Sequence, residues 1–322
     1  MAMLCLSRAA LFSAVALILS SGGYVRAADY APTVTVHYAT EKVDGLDIFF
    51  RESGDPSKPA VVLLHGFPAS SHQYRDVLAS PLAAKYHLIA PDYPGFGDSA
   101  FPDPETFSYN FDHLAKVMDK FLQRRGISRY AIMVQDYGAP VGYRIASWHP
   151  ERITAIIVQN GNAYDEGIGP KGWGPILDYW KHKTPELEKQ ISDAVFTPEG
   201  MKWQYTVGTR HPESILPDNW NLDYQKISRP GEQRAQLDLF YDYQNNLKLY
   251  PAWHQYLREH QPPMLIVWGK GDPFFPESGA AAYKQDVKNI DYNILDTGHF
   301  ALEEEGPFII EKMEGFLDKN LH

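Results

Sequence analysis

The chain has 322 residues, 44% of them hydrophobic and 22% charged, with 24 Gly and 24 Pro dispersed along it, a composition that excludes the disordered and fibrous classes. Its 40 acidic against 30 basic side chains give a net charge of -10, which argues against nucleic acid or an anionic membrane surface as the main partner. A single cysteine, Cys5, excludes internal disulfides, zinc ribbons and redox CxxC motifs.

Residues 1–27 carry Arg8, the apolar run Ala9 to Leu19 and a small-residue stretch ending Val25-Arg26-Ala27, the pattern of a cleaved secretory signal peptide. The apolar core is short of the roughly 18 to 20 residues that span a bilayer. The expectation is an exported protein, periplasmic or secreted, with no stable membrane anchor after cleavage. Removing the leader takes away arginines and no acid, and leaves no thiol to mispair in an oxidising compartment.

From Thr33 to Ser53 the residues alternate and are rich in Val, Thr, Tyr and Phe, which predicts two antiparallel strands turning near Asp44-Gly45. The rhythm then changes to continuous apolar runs: Pro59 to His65, His87 to Ala90, Tyr130 to Val134, Ile153 to Val158 and Met264 to Trp268. Strands buried on both faces read this way, so they belong to a parallel sheet covered by helices. The stretches Phe111 to Arg125, Val141 to His149, Gly279 to Val287 and Phe308 to Leu317 have helical spacing. Alternating strands and helices predict a doubly wound, mostly parallel α/β fold. The alternation breaks between residues 162 and 261, which hold five of the seven tryptophans and no β-type run. That segment is predicted to be a helical cap inserted into a core made of residues 28–161 and 262–322.

Functional residues of open α/β sheets gather at the carboxyl ends of strands. One predicted strand ends in His65-Gly66-Phe67-Pro68, and another in Val134-Gln135-Asp136-Tyr137-Gly138 followed directly by a helix, the layout of a nucleophile elbow. The chain contains no Gly-x-Ser-x-Gly, and the elbow carries Asp136 instead of serine. Later strands end at Gly269-Lys-Gly-Asp272-Pro273 and Thr297-Gly298-His299, which gives the order nucleophile, acid, histidine. Taken singly, Asp136 reads as a helix N-cap, Asp272 as a turn residue and His299 as a buried structural imidazole. Their joint placement at successive strand ends favours chemistry. The 12 histidines show no His-x3-His pairing with carboxylates at ligand spacing, so neither a metal nor another cofactor is expected. Glu303-Glu304-Glu305 reads as a solvated helix start.

His65-Gly66-Phe67-Pro68, Asp92 to Ser99, Asp136-Tyr137-Gly138, Gly271-Asp272-Pro273 and Gly298-His299-Phe300 together resemble the epoxide hydrolase and haloalkane dehalogenase branch of the α/β-hydrolase superfamily. The resemblance covers nearly all of the chain after the leader. It implies that Asp136 attacks an sp3 carbon to form an alkyl-enzyme ester, hydrolysed by a water that His299, oriented by Asp272, deprotonates. It implies an oxyanion hole from the backbone N–H groups of Phe67 and Tyr137, and acids for an epoxide oxygen at Tyr243 and Tyr179, with Tyr205 and Tyr241 as substitutes. His65, Trp180 and Trp203 are the candidate substrate contacts.

The chain departs from the family by having Tyr137 after the nucleophile, where relatives often have Trp. The arginine nearest the elbow on its following helix, Arg144, is two turns away, which argues against a small anionic haloacid. An acid at Asp165 or Glu166 could replace Asp272. The expected activity is opening of an apolar or aromatic-bearing epoxide by water to a vicinal diol. Haloalkane hydrolysis on the same nucleophile, or a non-catalytic ligand-binding role, are the alternatives.

Overall fold

The computed structural model describes residues 34–321, so the leader read at residues 1–27 and Cys5 lie outside the described residues. β1 (Val36–Val43) and β2 (Leu46–Ser53) form an antiparallel hairpin whose two turn residues, Asp44 and Gly45, have φ of 50° and 87°. Two left-handed residues match the twist of a hairpin, which is why Asp-Gly marks the turn in the sequence. β2 also pairs antiparallel with β4 (His87–Pro91). The rest of the sheet is parallel, adding β3 (Ala60–Leu64), β5 (Tyr130–Gln135), β6 (Ile153–Gln159), β7 (Met264–Gly269) and β8 (Ile290–Leu295) in the order β1-β2-β4-β3-β5-β6-β7-β8.

Every residue of β3, β4, β5 and β7 is buried. Alternate side chains supply two cores, since successive Cβ atoms point to opposite faces. Val62, Leu64, Ile132, Val134, Ile156 and Ile266 join one, with helices Phe111–Arg124 and Gly138–Trp148. Val61, Leu63, Met133, Ile157, Leu265 and Val267 join the other, with Ile309, Met313 and Phe316 of helix Ala301–Asn320. Each large apolar side chain buried in this way contributes about 1.5–3 kcal/mol.

No strand lies between β6 and β7 among the described residues, and the segment folds into helices. Pro170, Pro185, Pro198 and Pro217 open four of them, at the position where a missing N–H costs nothing. Thr184 and Thr197 cap two, their hydroxyls accepting from the N–H groups of Leu187 and Gly200. Among the described residues no helix is long and apolar enough to cross a membrane.

Two differences from the sequence reading lie beside His299. β8 was not marked by an apolar run, because its residues Ile-Asp-Tyr-Asn-Ile-Leu are only partly buried at the sheet edge. The last helix begins at Ala301 instead of Phe308, with non-helical backbone at Glu305 just before Pro307.

Candidate active site

β5 ends in Gln135, and the chain turns into helix Gly138–Trp148 through Asp136, whose φ is 48°. A non-glycine residue in left-handed backbone is strained and persists only where its surroundings enforce it. Here the enforcement is close packing. A Cβ on Gly138 would lie 2.1 Å from the Leu64 carbonyl oxygen, so only glycine lets the helix start this close to β3. The Asp136 carboxylate does not cap the helix, which has no side-chain cap bond. Its Oδ1 accepts the backbone N–H of Phe67 at 2.8 Å, from the loop after β3. Gly66 permits that approach, because a Cβ there would come within 2.3 Å of Asp136 Cβ.

His299 follows β8 and is 1% exposed, enclosed by the rings of Phe274, Phe275 and Phe300. Its Nδ1 donates to Asp272 Oδ2 at 2.7 Å, and its Nε2 stands 3.8 Å from Asp136 Oδ2. Asp272 is saturated: Oδ2 also accepts from Asn160 Nδ2 at 2.8 Å, while Oδ1 accepts the N–H groups of Phe274 and Phe275 at 2.7 and 3.1 Å. This leaves the imidazole one orientation, with Nε2 turned toward the elbow. Asp165 and Glu166 are exposed and make no bond to His299.

Burial pushes the Asp136 carboxyl up to about 6, against the lowering effect of His299 and of the Phe67 and Tyr137 backbone N–H groups. Burial works against a charged His299, yet Asp272, with Asp136 behind it, outweighs that and raises the imidazole above its ordinary range.

Asp136, Tyr137, Phe67 and His299 line a cavity of about 260 Å³, closed on the other side by Trp173, Ile176, Ile191, Val195, Trp203 and Phe240. Its wall is mostly apolar, with Lys171 its one Lys or Arg. Trp203, 41% exposed, stands in this wall as a candidate contact.

Other candidates are placed elsewhere. His65 does not line the cavity: it is fully buried, stacked on Tyr93, with Nδ1 on the Gly66 carbonyl and Nε2 accepting from Tyr93 N–H. Burial pushes it down to about 3, so it is a neutral brace for the loop carrying Phe67. Trp180 donates its indole N–H to the Phe240 carbonyl and stacks on Tyr243, outside the cavity wall. Tyr179 points the other way, its hydroxyl donating to Glu188 at 2.7 Å because the next helix packs on that side. Of the substitutes, Tyr205 donates to Asp223 at 2.5 Å and Tyr241 packs against Tyr179. Tyr243 is buried behind the wall, its ring 4.4 Å from Trp173 and 6.1 Å from Tyr137, and its hydroxyl faces that of Tyr250. Arg144 is a buried structural residue, bonded to Asp112, Asn246 and the Pro140 carbonyl.

Sequence reasoning assigned no role to Gln135, Asn160 or Trp173. Gln135 Nε2 lies 2.9 Å from His299 Nε2, Asn160 holds Asp272, and Trp173 forms part of the wall. A signal existed for Trp173, which sits three residues before Ile176 on one helical face. Gln135 and Asn160 are polar residues at strand ends, a pattern that many turns share.

The sequence pattern describing the α/β-hydrolase fold matches residues 59–306. An uncharacterized hydrolase of Saccharomyces cerevisiae is 41% identical over 279 residues, covering 86% of this chain and 95% of the relative. Epoxide hydrolase 4 of Mus musculus is 26% identical over 289 residues, covering 87% of this chain and 78% of the relative. Among solved structures, the haloalkane dehalogenase DbeA from Bradyrhizobium elkani superposes with a TM-score of 0.69 at 23% identity, covering 89% of this chain and 98% of that one.

Proposed function

We propose that this chain, which belongs to the α/β-hydrolase fold family and is a hydrolase of it, opens small apolar epoxides to vicinal diols through an alkyl-enzyme ester on Asp136. The observation that carries this reading is the posture of that carboxylate. Oδ1 rests on the Phe67 N–H, Oδ2 lies 3.8 Å from a histidine anchored to Asp272, and the group lines a mostly apolar cavity.

A serine there would need a base before attacking, whereas an ionised carboxylate attacks directly. Attack on a carbonyl carbon would give an anhydride that reverts, so the productive electrophile is an sp3 carbon bearing a leaving group. Displacement forms the Asp136 ester and breaks the epoxide C–O bond. Water then attacks Asp136 Cγ as His299 Nε2 takes its proton, and the oxyanion builds up where Phe67 donates.

The leaving group separates an epoxide from a haloalkane. A departing alkoxide takes a proton, and a halide needs only N–H donors. The indoles of Trp173 and Trp180 are committed to the carbonyls of Phe274 and Phe240. The phenols of Tyr137, in the cavity wall, and Tyr243, packed behind it against the Tyr250 hydroxyl, are held well above pKa 10 by burial, hence protonated at neutral pH. Donors of that kind suit an alkoxide; Tyr137 is the one that lines the cavity, and Tyr243 stands behind it.

Repeated turnover of styrene oxide in 18O-water, followed by peptide mass analysis, tests the route. Label accumulates in the peptide containing Asp136, and Asp136→Asn abolishes product. An unlabelled peptide with fully labelled diol sinks the covalent mechanism; halide release from a haloalkane, with epoxides untouched, replaces the substrate class.

A further inference from the structure

We infer that Gln135 is a positioning residue for the hydrolytic half of the reaction: its amide holds the His299 Nε2 lone pair in the resting site, yields it to the attacking water, and presents its carbonyl to Nε2–H once the imidazole has taken a proton from that water. The inference rests on the Asp136 ester reading and concerns a side chain given no role there.

Gln135 is the last residue of β5, immediately before Asp136, and is fully buried. Its Nε2 lies 2.9 Å from His299 Nε2. Two nitrogens at that separation need one hydrogen and one lone pair between them. Asp272 is an acceptor that already holds His299 Nδ1–H, so in the neutral ring the lone pair is at Nε2 and the amide donates. In the resting site this donation fixes the tautomer with its lone pair at Nε2, which the amide gives up to the O–H of the attacking water. It also leaves Gln135 Oε1 buried with no partner. A buried amide half satisfied by protein is an arrangement that calls for explanation.

The explanation lies in the second proton state. When water attacks Asp136 Cγ, its O–H bond breaks, a C–O bond forms, and Nε2 gains a hydrogen that needs an acceptor. Asp136, now esterified, no longer carries a charge to receive it. Among the described residues the charged groups facing the ring are Asp272 and Asp136, so in the ester only Asp272, on the far nitrogen, is left. Turning the amide end for end brings Oε1 to Nε2–H. Gly66 leaves room for that end of the amide, since a Cβ there would lie 2.4 Å from Oε1. Collapse of the tetrahedral species breaks the bond between Cγ and the alkyl oxygen, and Nε2 returns its proton to that oxygen. The acid proton left on Asp136 then passes to the phenolate formed at ring opening, so atoms and charges balance and the amide turns back.

The test is rapid-quench mass analysis of styrene oxide turnover by the full chain as wild type, Gln135→Met, Gln135→Glu and His299→Gln. For Gln135→Met the ester forms at a rate within about twofold of wild type but decays at least about tenfold more slowly, the equivalent of one hydrogen bond to a charged group. The adduct therefore accumulates, and kcat and KM fall together. Gln135→Glu keeps the shape and serves if the methionine variant does not fold; its second carboxylate stabilises the imidazolium, so the acid limb of the decay rate moves to higher pH. Unchanged decay in the methionine variant, or in the glutamate variant an unmoved limb, overturns the inference. If His299→Gln accumulates no adduct, the ester reading itself fails, a result separable from a normal adduct whose decay ignores Gln135.

Discussion

At Asp136 the environment changes the chemistry that the residue type suggests. A free aspartate ionises near 3.8, whereas burial lifts this carboxyl to about 6, with His299 and the two backbone N–H groups limiting the rise. The nucleophile must be ionised, so kcat/KM for the epoxide should fall below about pH 6, a limb two units higher than an exposed aspartate would give. Stability carries the opposite sign. Between about 4 and about 6 the folded chain keeps a proton that the unfolded chain has shed, so this group's contribution is present at low pH and is lost as pH rises through 6. Asp136→Asn keeps the acceptor for Phe67 and removes the charge. The variant should melt a few degrees above wild type at pH 8 and level with it near pH 4, by calorimetry. A melting temperature unchanged or lowered at pH 8 would show that the carboxylate is not held at a cost. The elbow position of Asp136 was legible from a strand run followed by Asp-Tyr-Gly. Its raised pKa was not, because burial arises from Phe67, Trp173 and Phe240, distant in sequence.

At the scale of elements, the buried strands were legible because both faces are covered and no polar side chain interrupts them. β8 was legible only by its end before Thr297-Gly298-His299, because an edge strand keeps polar positions. The insertion was legible as helical, but the direction of each aromatic was not. Trp173 and Tyr179 lie on one helix, and packing alone sends the first to the cavity and the second to Glu188.

The acidic run Glu303-Glu304-Glu305 is the clearest correction. An acidic helix start is favourable in water or in protein, so its sequence is ambiguous. The residues are half-buried, but the side chains of Glu303 and Glu304 are each only 4% exposed. Glu303 accepts from both Arg75 nitrogens at 3.0 and 2.6 Å and from Asn219 at 2.6 Å. Glu304 accepts the backbone N–H groups of Arg210 and His211, and Glu305 pairs with Arg210. The first turn after His299 therefore fastens the insertion to the sheet domain. Glu303→Ala should cost about 1–3 kcal/mol, discounted from a fully buried pair because Arg75 keeps some solvent. Glu304→Ala should speed proteolysis and amide exchange around residues 209–213 more than it lowers global stability. Equal protection of that loop in both proteins would remove the fastening role.

For the whole molecule, the buried carboxylates give stability a pH slope that opposes activity. Burial raises Asp223 to about 7, with Glu303 adding to the rise and Tyr205 restraining it; burial also raises Glu232 to about 7 against Gln236 and Arg229. His299 is raised as well. His65 and His72 are depressed by burial and bind fewer protons when folded, but only below 6.5, where the unfolded imidazoles protonate. Above that value they drop out, while the raised groups still hold protons the unfolded chain has released. The number bound is then larger in the folded state, so stability falls as pH rises. Both carboxylates sit in the insertion, and their ionisation burdens the part that closes the cavity. The melting temperature should decline between pH 6.5 and about 8.5, and the double variant Asp223→Asn, Glu232→Gln should flatten the decline while leaving the kcat/KM limb near 6 in place. An equally steep decline in that variant would move the cause elsewhere. The conditions that ionise Asp136 for attack are thus the conditions under which the covering helices hold least firmly. The working pH range is bounded below by the nucleophile and above by the insertion that covers the cavity.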